Sequence, residues 1–264
     1  MVVRLYNLMR EIRYHAKEER VLFFDLPDTK DLRIKGVLRG ELAGPVAIMM
    51  HGRPGNGDEL LQYLGARYLY ERGVSTLRLF MYGFDPKTRN LMDSDLQTHT
   101  DDFEAVVQNL REQDVSKVFA IGHSYGGLTI LKSKVELDAA VLWDPSHGLW
   151  WAEGRDALFA DKYPEVVVGN YVIGTAGSGW VYPVASRESD QRLGDTSSWA
   201  IKNYPLKIIS AGDGALTDLG KRYVEKAREP KSHVVVANAH HGFDDSDDVM
   251  LELFEETYDW IAKT

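Results

Sequence analysis

The residue types able to do covalent chemistry are limited in this chain, and their placement limits them further. No cysteine occurs in the 264 residues, which excludes thiol catalysis, disulfides and thiolate zinc sites and leaves the redox compartment undetermined. The stretch VFAIGHSYGGLTILKS, residues 118–133, sets Ser124 between Gly122 and Gly126, after an apolar run and before a helix-like one. Gly-x-Ser-x-Gly between a strand and a helix is a nucleophile elbow: the turn is so tight that side chains two residues before and after the serine would collide. Such a turn lifts the hydroxyl above the sheet edge, beside the first backbone N–H groups of the helix. A serine hydroxyl is a weak nucleophile without a base. In HVVVANAHHGF, His240 and His241 stand just past the last strand-like run, and of two successive residues there only one can point into a site. Carboxylates able to orient an imidazole stand near strand ends: Asp144 closes AAVLWD, and Asp213 and then Asp218 follow LKIIS.

These residues need a scaffold that brings strand ends together, and the sequence describes one. RVLFFDL and LRIKGVL read as an opening pair of strands, followed by VAIMM (46–50), VSTLRLF (74–80), KVFAI (117–121), AAVLW (139–143), LKIIS (206–210) and HVVVA (233–237). The later runs are apolar throughout, as strands are when helices cover both faces of a parallel sheet. Helical spacing appears between them at Leu61, Leu64, Tyr68 and Leu69, at Phe103, Val106, Val107 and Leu110, and at Met250, Leu253, Phe254 and Ile261. The alternation predicts an α/β, doubly wound, mostly parallel sheet. From Ser146 to Tyr204 the rhythm breaks over a stretch too long for an ordinary crossover, which predicts an inserted cap over 146–204, with 1–145 and 205–264 forming the core. Within the insert, EVVVGNYVIG reads as a hairpin turning at Gly169-Asn170. Trp150, Trp151, Trp180 and Trp199 are expected to pack the cap onto the sheet rather than to line a substrate pocket.

Composition narrows the partners. With 44% hydrophobic and 27% charged residues the chain can bury one large core, and 40 acidic against 31 basic residues give a formal charge of −9. No stretch concentrates Lys and Arg, so nucleic acid is not an expected partner. No uncharged run reaches bilayer length and the charged N-terminal stretch lacks a signal core, so no membrane span and a cytoplasmic location are expected. HTDDFE (99–104) and HHGFDDSDD (240–248) place carboxylates near histidine but read as helix N-terminal capping rather than metal sites. His15, His99 and His233 read as surface or strand-end residues. Neither the glycines of HGRPGNG nor GTAGSG (174–179) has the spacing of a phosphate or dinucleotide loop.

Three ordered motifs, His51-Gly52-Arg53, Gly122-His123-Ser124-Tyr125-Gly126 and His241-Gly242-Phe243, resemble the α/β-hydrolase superfamily over about residues 40–145 and 205–264, with the insert where that family often carries its lid. The resemblance implies a serine hydrolase, foremost a carboxylic-ester hydrolase that needs no cofactor and takes a small-molecule ester or related acyl substrate. It implies Ser124 as nucleophile, His241 as base and Asp213 as the acid that holds it, with Asp144 and Asp218 as alternative acids. The family's Gly-x-x-Asp spacing would fall on Ala215 here. It implies the backbone N–H groups of Arg53 and Tyr125 as oxyanion donors. Arg53 departs from the usual apolar residue, and its side chain either meets a polar part of the substrate or pairs with an acid. Cleavage of an amide, thioester or carbon–carbon bond uses the same machinery, and a non-catalytic binding module is the reading from a different class.

Overall fold

The computed structural model describes residues 19–83, 85–150, 165–174 and 181–264. Eight strands form one sheet in the order β1-β2-β4-β3-β5-β6-β10-β11. They are β1 (Glu19–Asp25), β2 (Arg33–Arg39), β3 (Pro45–Met50), β4 (Ser75–Phe80), β5 (Lys117–His123), β6 (Ala139–Trp143), β10 (Leu206–Ala211) and β11 (Lys231–Val236). β1 and β2 pair antiparallel, β2 pairs antiparallel with β4, and every later pairing is parallel. The doubly wound sheet expected from the alternation is therefore the fold, with the opening pair as its antiparallel margin.

Helices cover both faces, which is why the central strands are apolar at consecutive positions. Alternate residues of β3 divide between two cores. Val46, Ile48 and Met50 pack with Phe103, Val106 and Leu110 of α2 (Leu96–Glu112) and Ile130 of α3 (Tyr125–Lys132). Ala47 and Met49 pack with Leu64 and Leu69 of α1 (Leu60–Tyr70) and with Leu253 and Phe254 of the C-terminal helix Asp247–Lys263. Register then sets the site. Met50 lies opposite Gly122, His123 opposite Trp143, and Trp143 opposite Ile209. The C-terminal ends of β3, β5, β6 and β10 thus share one edge, the edge at which open α/β sheets place their ligands.

Between β6 and β10 the chain leaves this sheet. β7 (Glu165–Val168), β8 (Tyr171–Gly174) and β9 (Val181–Pro183) make a separate three-stranded antiparallel sheet, followed by α4 (Val184–Gln191) and a 3-10 turn at Ser197–Ala200. The hairpin turns at Gly169-Asn170 as read, with Val168 paired to Tyr171 and Gly169 at φ 60°. Trp199 packs against the core, while Trp151 and Trp180 lie outside the described residues. After β10 come α5 (Thr217–Lys226), β11 and α6 (Asp247–Lys263).

Two expectations about carboxylate-rich stretches change in detail. α2 is capped by Asp95, whose side chain accepts from the Thr98 N–H in a capping box, so His99–Glu104 lies inside the helix rather than before it. His99 is not a surface residue: it is buried, with Nε2 2.6 Å from Ser94 Oγ. At α6 the cap is Ser246, and Asp247 and Asp248 occupy the first turn. Among the described residues no group of three His, Asp or Glu side chains is arranged to hold a metal ion, and no helix is long and apolar enough to cross a membrane.

Candidate active site

Ser124 joins β5 to α3 with φ 52° and ψ −115°, a conformation that a non-glycine residue holds only when its surroundings fix it. The surroundings do so through its backbone: its N–H donates to the Trp143 carbonyl at 2.9 Å, and its carbonyl accepts from Leu128 at 3.2 Å and Ser146 at 3.0 Å. The flanking glycines are sterically required. A Cβ on Gly122 would lie 2.6 Å from Gly126 C, and one on Gly126 would lie 2.6 Å from Met50 O. The Ser124 hydroxyl is 3.2 Å from that of Ser146, a buried residue that belongs to none of the sequence motifs.

His241 reaches this edge from the loop after β11. Its ring lies 4.8 Å, centroid to centroid, from that of His123, whose Nε2–H donates to the His241 carbonyl at 2.8 Å. Burial, reinforced by His241, holds His123 down at about 3, so it remains a neutral donor. His240, the other candidate base, is exposed and pairs with Asp245 in its own loop.

The carboxylate in contact with His241 is Asp144, in place of the expected Asp213. His241 Nδ1–H donates to Asp144 Oδ2 at 2.6 Å, and Asp144 Oδ1 accepts from the Ala211 N–H at 3.2 Å. Asp144 is fully buried and turns off β6 at φ 41°, with its own N–H donating to the Ile209 carbonyl at 2.7 Å. The physical reason lies in the loop after β10. There Gly214 N–H donates back to the Ala211 carbonyl and Asp213 N–H to the Ala239 carbonyl, a tight turn that leaves Asp213 exposed. Asp218 is exposed in the first turn of α5. β6 adjoins β5 directly, so its tip is the nearer source of a carboxylate. A carboxylate on Nδ1–H fixes the tautomer of the neutral ring and leaves the lone pair on Nε2, the state that accepts a hydroxyl proton.

The loop after β3 passes beside the serine: a Cβ on Gly52 would be 3.1 Å from Ser124 Cβ. His51 shapes this loop from below. Its Nδ1–H donates to the Gly52 carbonyl at 2.7 Å and its Nε2 accepts from Met81 N–H at 3.2 Å, with burial pulling its pKa down to about 4. Tyr125 is the first residue of α3, so its N–H has no acceptor within the helix. The Arg53 side chain, left open between substrate and acid, pairs with an acid. It is 4% exposed and bonded to Asp190 of α4, which is fully buried. Arg53 Nη1–H also donates to Tyr125 Oη at 3.1 Å, and the Tyr125 hydroxyl donates to Asp190 Oδ1 at 3.1 Å. Asp190 escaped the sequence reading because RESDQR has the look of a solvated helix face and its partner is 137 residues away.

A network behind the serine braces the Asp144–Ser146 turn. Tyr223 of α5 donates to the Ser146 carbonyl at 2.9 Å and stands 2.6 Å from Thr196 Oγ1, which accepts from Gly148 N–H at 3.1 Å. His147 accepts at Nδ1 from Leu149 N–H and faces Ser197 Oγ with Nε2 at 3.1 Å. Burial lowers its pKa to about 4, so its approach to Asp195 is that of a neutral ring.

The family model described as the alpha/beta hydrolase family matches residues 46–253. No curated protein sequence matches the chain. Among solved structures, Est1E from Butyrivibrio proteoclasticus, with ferulic acid bound, superposes with a TM-score of 0.71 at 18% identity, covering 91% of this chain and 99% of that one. The esterase domain of a Rhodothermus marinus protein gives 0.64 at 17% identity over 92% and 97%. The alpha/beta hydrolase GrgF from Penicillium sp. sh18 gives 0.66 at 16% identity over 90% and 98%.

Proposed function

Since the chain belongs to the alpha/beta hydrolase family, we propose that it is a serine hydrolase acting on carboxylic esters. The observation that carries this reading is the hydrogen bond from His241 to the buried Asp144 at the sheet edge where Ser124 is held in its strained turn. In this reading Ser124 Oγ attacks the ester carbonyl carbon while His241 Nε2 takes the hydroxyl proton. Asp144 keeps the ring in the required tautomer and stabilises the imidazolium. The N–H groups of Arg53 and Tyr125 receive the developing oxyanion. The proton then passes from His241 to the leaving alkoxide, giving the alcohol and an acyl-enzyme. Water, deprotonated by His241, attacks the acyl carbonyl and releases the acid and Ser124. No step calls for a cofactor. Residues 146–204 serve as the cap, and the substrate is a small-molecule ester or related acyl compound.

Ester hydrolysis is preferred to amide or carbon–carbon cleavage because an alkoxide or phenoxide leaves more readily than an amide nitrogen or a carbanion. The neighbour with ferulic acid bound suggests aryl-acid esters as the first members of a panel. The test is fluorophosphonate labelling together with turnover of aryl esters, aminoacyl amides and acyl thioesters. Labelling lost in Ser124→Ala, with esters turned over fastest, is the expected result. An unlabelled wild-type protein would mean a binding module on the same fold, and faster turnover of amides or thioesters would reassign the substrate class.

A further inference from the structure

The one buried carboxylate of α4 is bonded to the side chains of both residues whose N–H groups are read as oxyanion donors. Arg53 follows β3 and Tyr125 follows β5, 72 residues apart, and the two loops meet at Ser124. Asp190 Oδ2 accepts from Arg53 Nη2–H, Asp190 Oδ1 from the Tyr125 hydroxyl, and the Arg53–Tyr125 hydrogen bond closes a three-membered ring. The guanidinium also lies 4.1 Å from the Tyr125 ring centroid and 5.5 Å from that of Tyr182 in β9. Ser186 Oγ of the same helix donates to the Ser94 carbonyl at 2.6 Å, fixing α4 against the chain before α2.

We propose that Asp190 is a positioning residue of the hydrolytic site: seated in the cap, it sets the separation and aim of the Arg53 and Tyr125 N–H groups, so that docking of α4 completes the oxyanion hole. The inference rests on the serine-hydrolase reading. Three features carry it beyond simple adhesion of the cap. Burying an ion pair costs desolvation that an apolar contact of the same size avoids, so the pair is a poor choice for adhesion alone. The Arg53 side chain is 4% exposed whereas the residue as a whole is half-buried, so its accessible surface lies mainly on the backbone. The ring of hydrogen bonds also fixes direction as well as distance, and donors to a developing oxyanion lose effect when displaced by a fraction of an ångström. The charge of Arg53 is retained there, since the opposing pull of burial is exceeded by the Tyr125 oxygen and the Asp190 carboxylate. A guanidinium matched in this way has its charge already answered, which leaves it little call for an anionic substrate.

The experiment compares wild type, Asp190→Asn and the double variant Arg53→Met/Asp190→Leu for kcat and KM on an aryl ester, inhibition by a trifluoromethyl ketone, and thermal melting. Removing an oxyanion donor costs about 10²- to 10³-fold in kcat, so donors left in place but misdirected should cost about tenfold or more. For Asp190→Asn, kcat should fall by that factor with KM within about threefold, and the ketone should bind more weakly by the same factor as kcat/KM. The double variant replaces the buried pair with apolar bulk, so its melting temperature should return toward wild type while kcat stays low. A double variant that melts and turns over like wild type, or a loss confined to KM, would overturn the proposal. A wild-type protein that neither labels with fluorophosphonate nor hydrolyses esters would overturn the underlying reading instead.

Discussion

At the scale of the residue the proposed acid is the sharpest test, since among the described residues Asp144 is the buried carboxylate in contact with His241. Asp144→Asn keeps the shape but supplies an amide where His241 Nδ1–H needs an acceptor, so ester turnover should fall by about 10⁴-fold. Asp213→Asn and Asp218→Asn alter exposed side chains and should leave kcat within about twofold, checked by steady-state rates on folded variants. His241→Ala should cost several orders of magnitude and His240→Ala little, because His240 is engaged with Asp245. The difference between these residues also marks what the sequence makes legible. Ser124 and its glycines are a local pattern, and His241 stands in a short motif after the last strand. The proposed acid has no motif. Asp144, Asp213 and Asp218 all stand near strand ends, and the choice among them depends on which strands are neighbours and how tightly the loop after β10 turns.

The elements were more legible than their junctions. Continuous apolar runs mark the parallel strands because both faces are covered, and β6 spans the same residues, 139–143, in sequence and structure. Helix α2 begins earlier than its carboxylates suggest because Asp95 and Thr98 form the cap, and burial of His99 follows from its place one turn before Phe103 on the core-facing side. The junction most sensitive to substitution is the turn between β5 and α3. Gly126→Ala would place a Cβ 2.6 Å from Met50 O and 2.8 Å from His51 O, both backbone atoms that cannot move without shifting β3 and the Gly52–Arg53 loop. The expected outcome is a melting temperature lower by about 5–10 °C, from a loss of about 2–3 kcal/mol, together with loss of ester turnover. Gly44→Ala meets nothing within 4 Å and should melt like wild type in the same measurement.

For the whole molecule, the buried histidines contribute to the response to acid. His51 and His147 are held down at about 4 and His123 at about 3, all chiefly by burial. Their unfolded forms take up protons near the ordinary value of about 6.5, which the folded protein refuses. Their contribution is therefore complete above neutrality, is lost as pH falls from about 7 toward 4, and levels off below the folded values. His123→Asn keeps a donor for the His241 carbonyl and removes one such site. Urea unfolding between pH 7 and 4 should show a pH slope shallower than wild type by up to about 1.4 kcal/mol per pH unit. An unchanged slope would show that His123 titrates normally.

The insert between β6 and β10 also orders events in time. The proposed nucleophile and acid, Ser124 and Asp144, both lie before it, whereas the proposed base, His241, comes from the loop after β11, 97 residues beyond Asp144. During synthesis, strands β1 to β6 leave the ribosome as a possible sheet while β10 and β11 are still absent, and contacts of long sequence separation are slow to form. Closing the longer loop costs little in free energy, about 0.6 kcal/mol for each doubling of length, so the delay is kinetic. In refolding from urea, ester turnover should consequently return later than far-ultraviolet circular dichroism. On the proposed mechanism, a chain halted before β11 would carry Ser124 in its elbow without His241 to deprotonate it, so the hydroxyl stays dormant until the C-terminal strand docks.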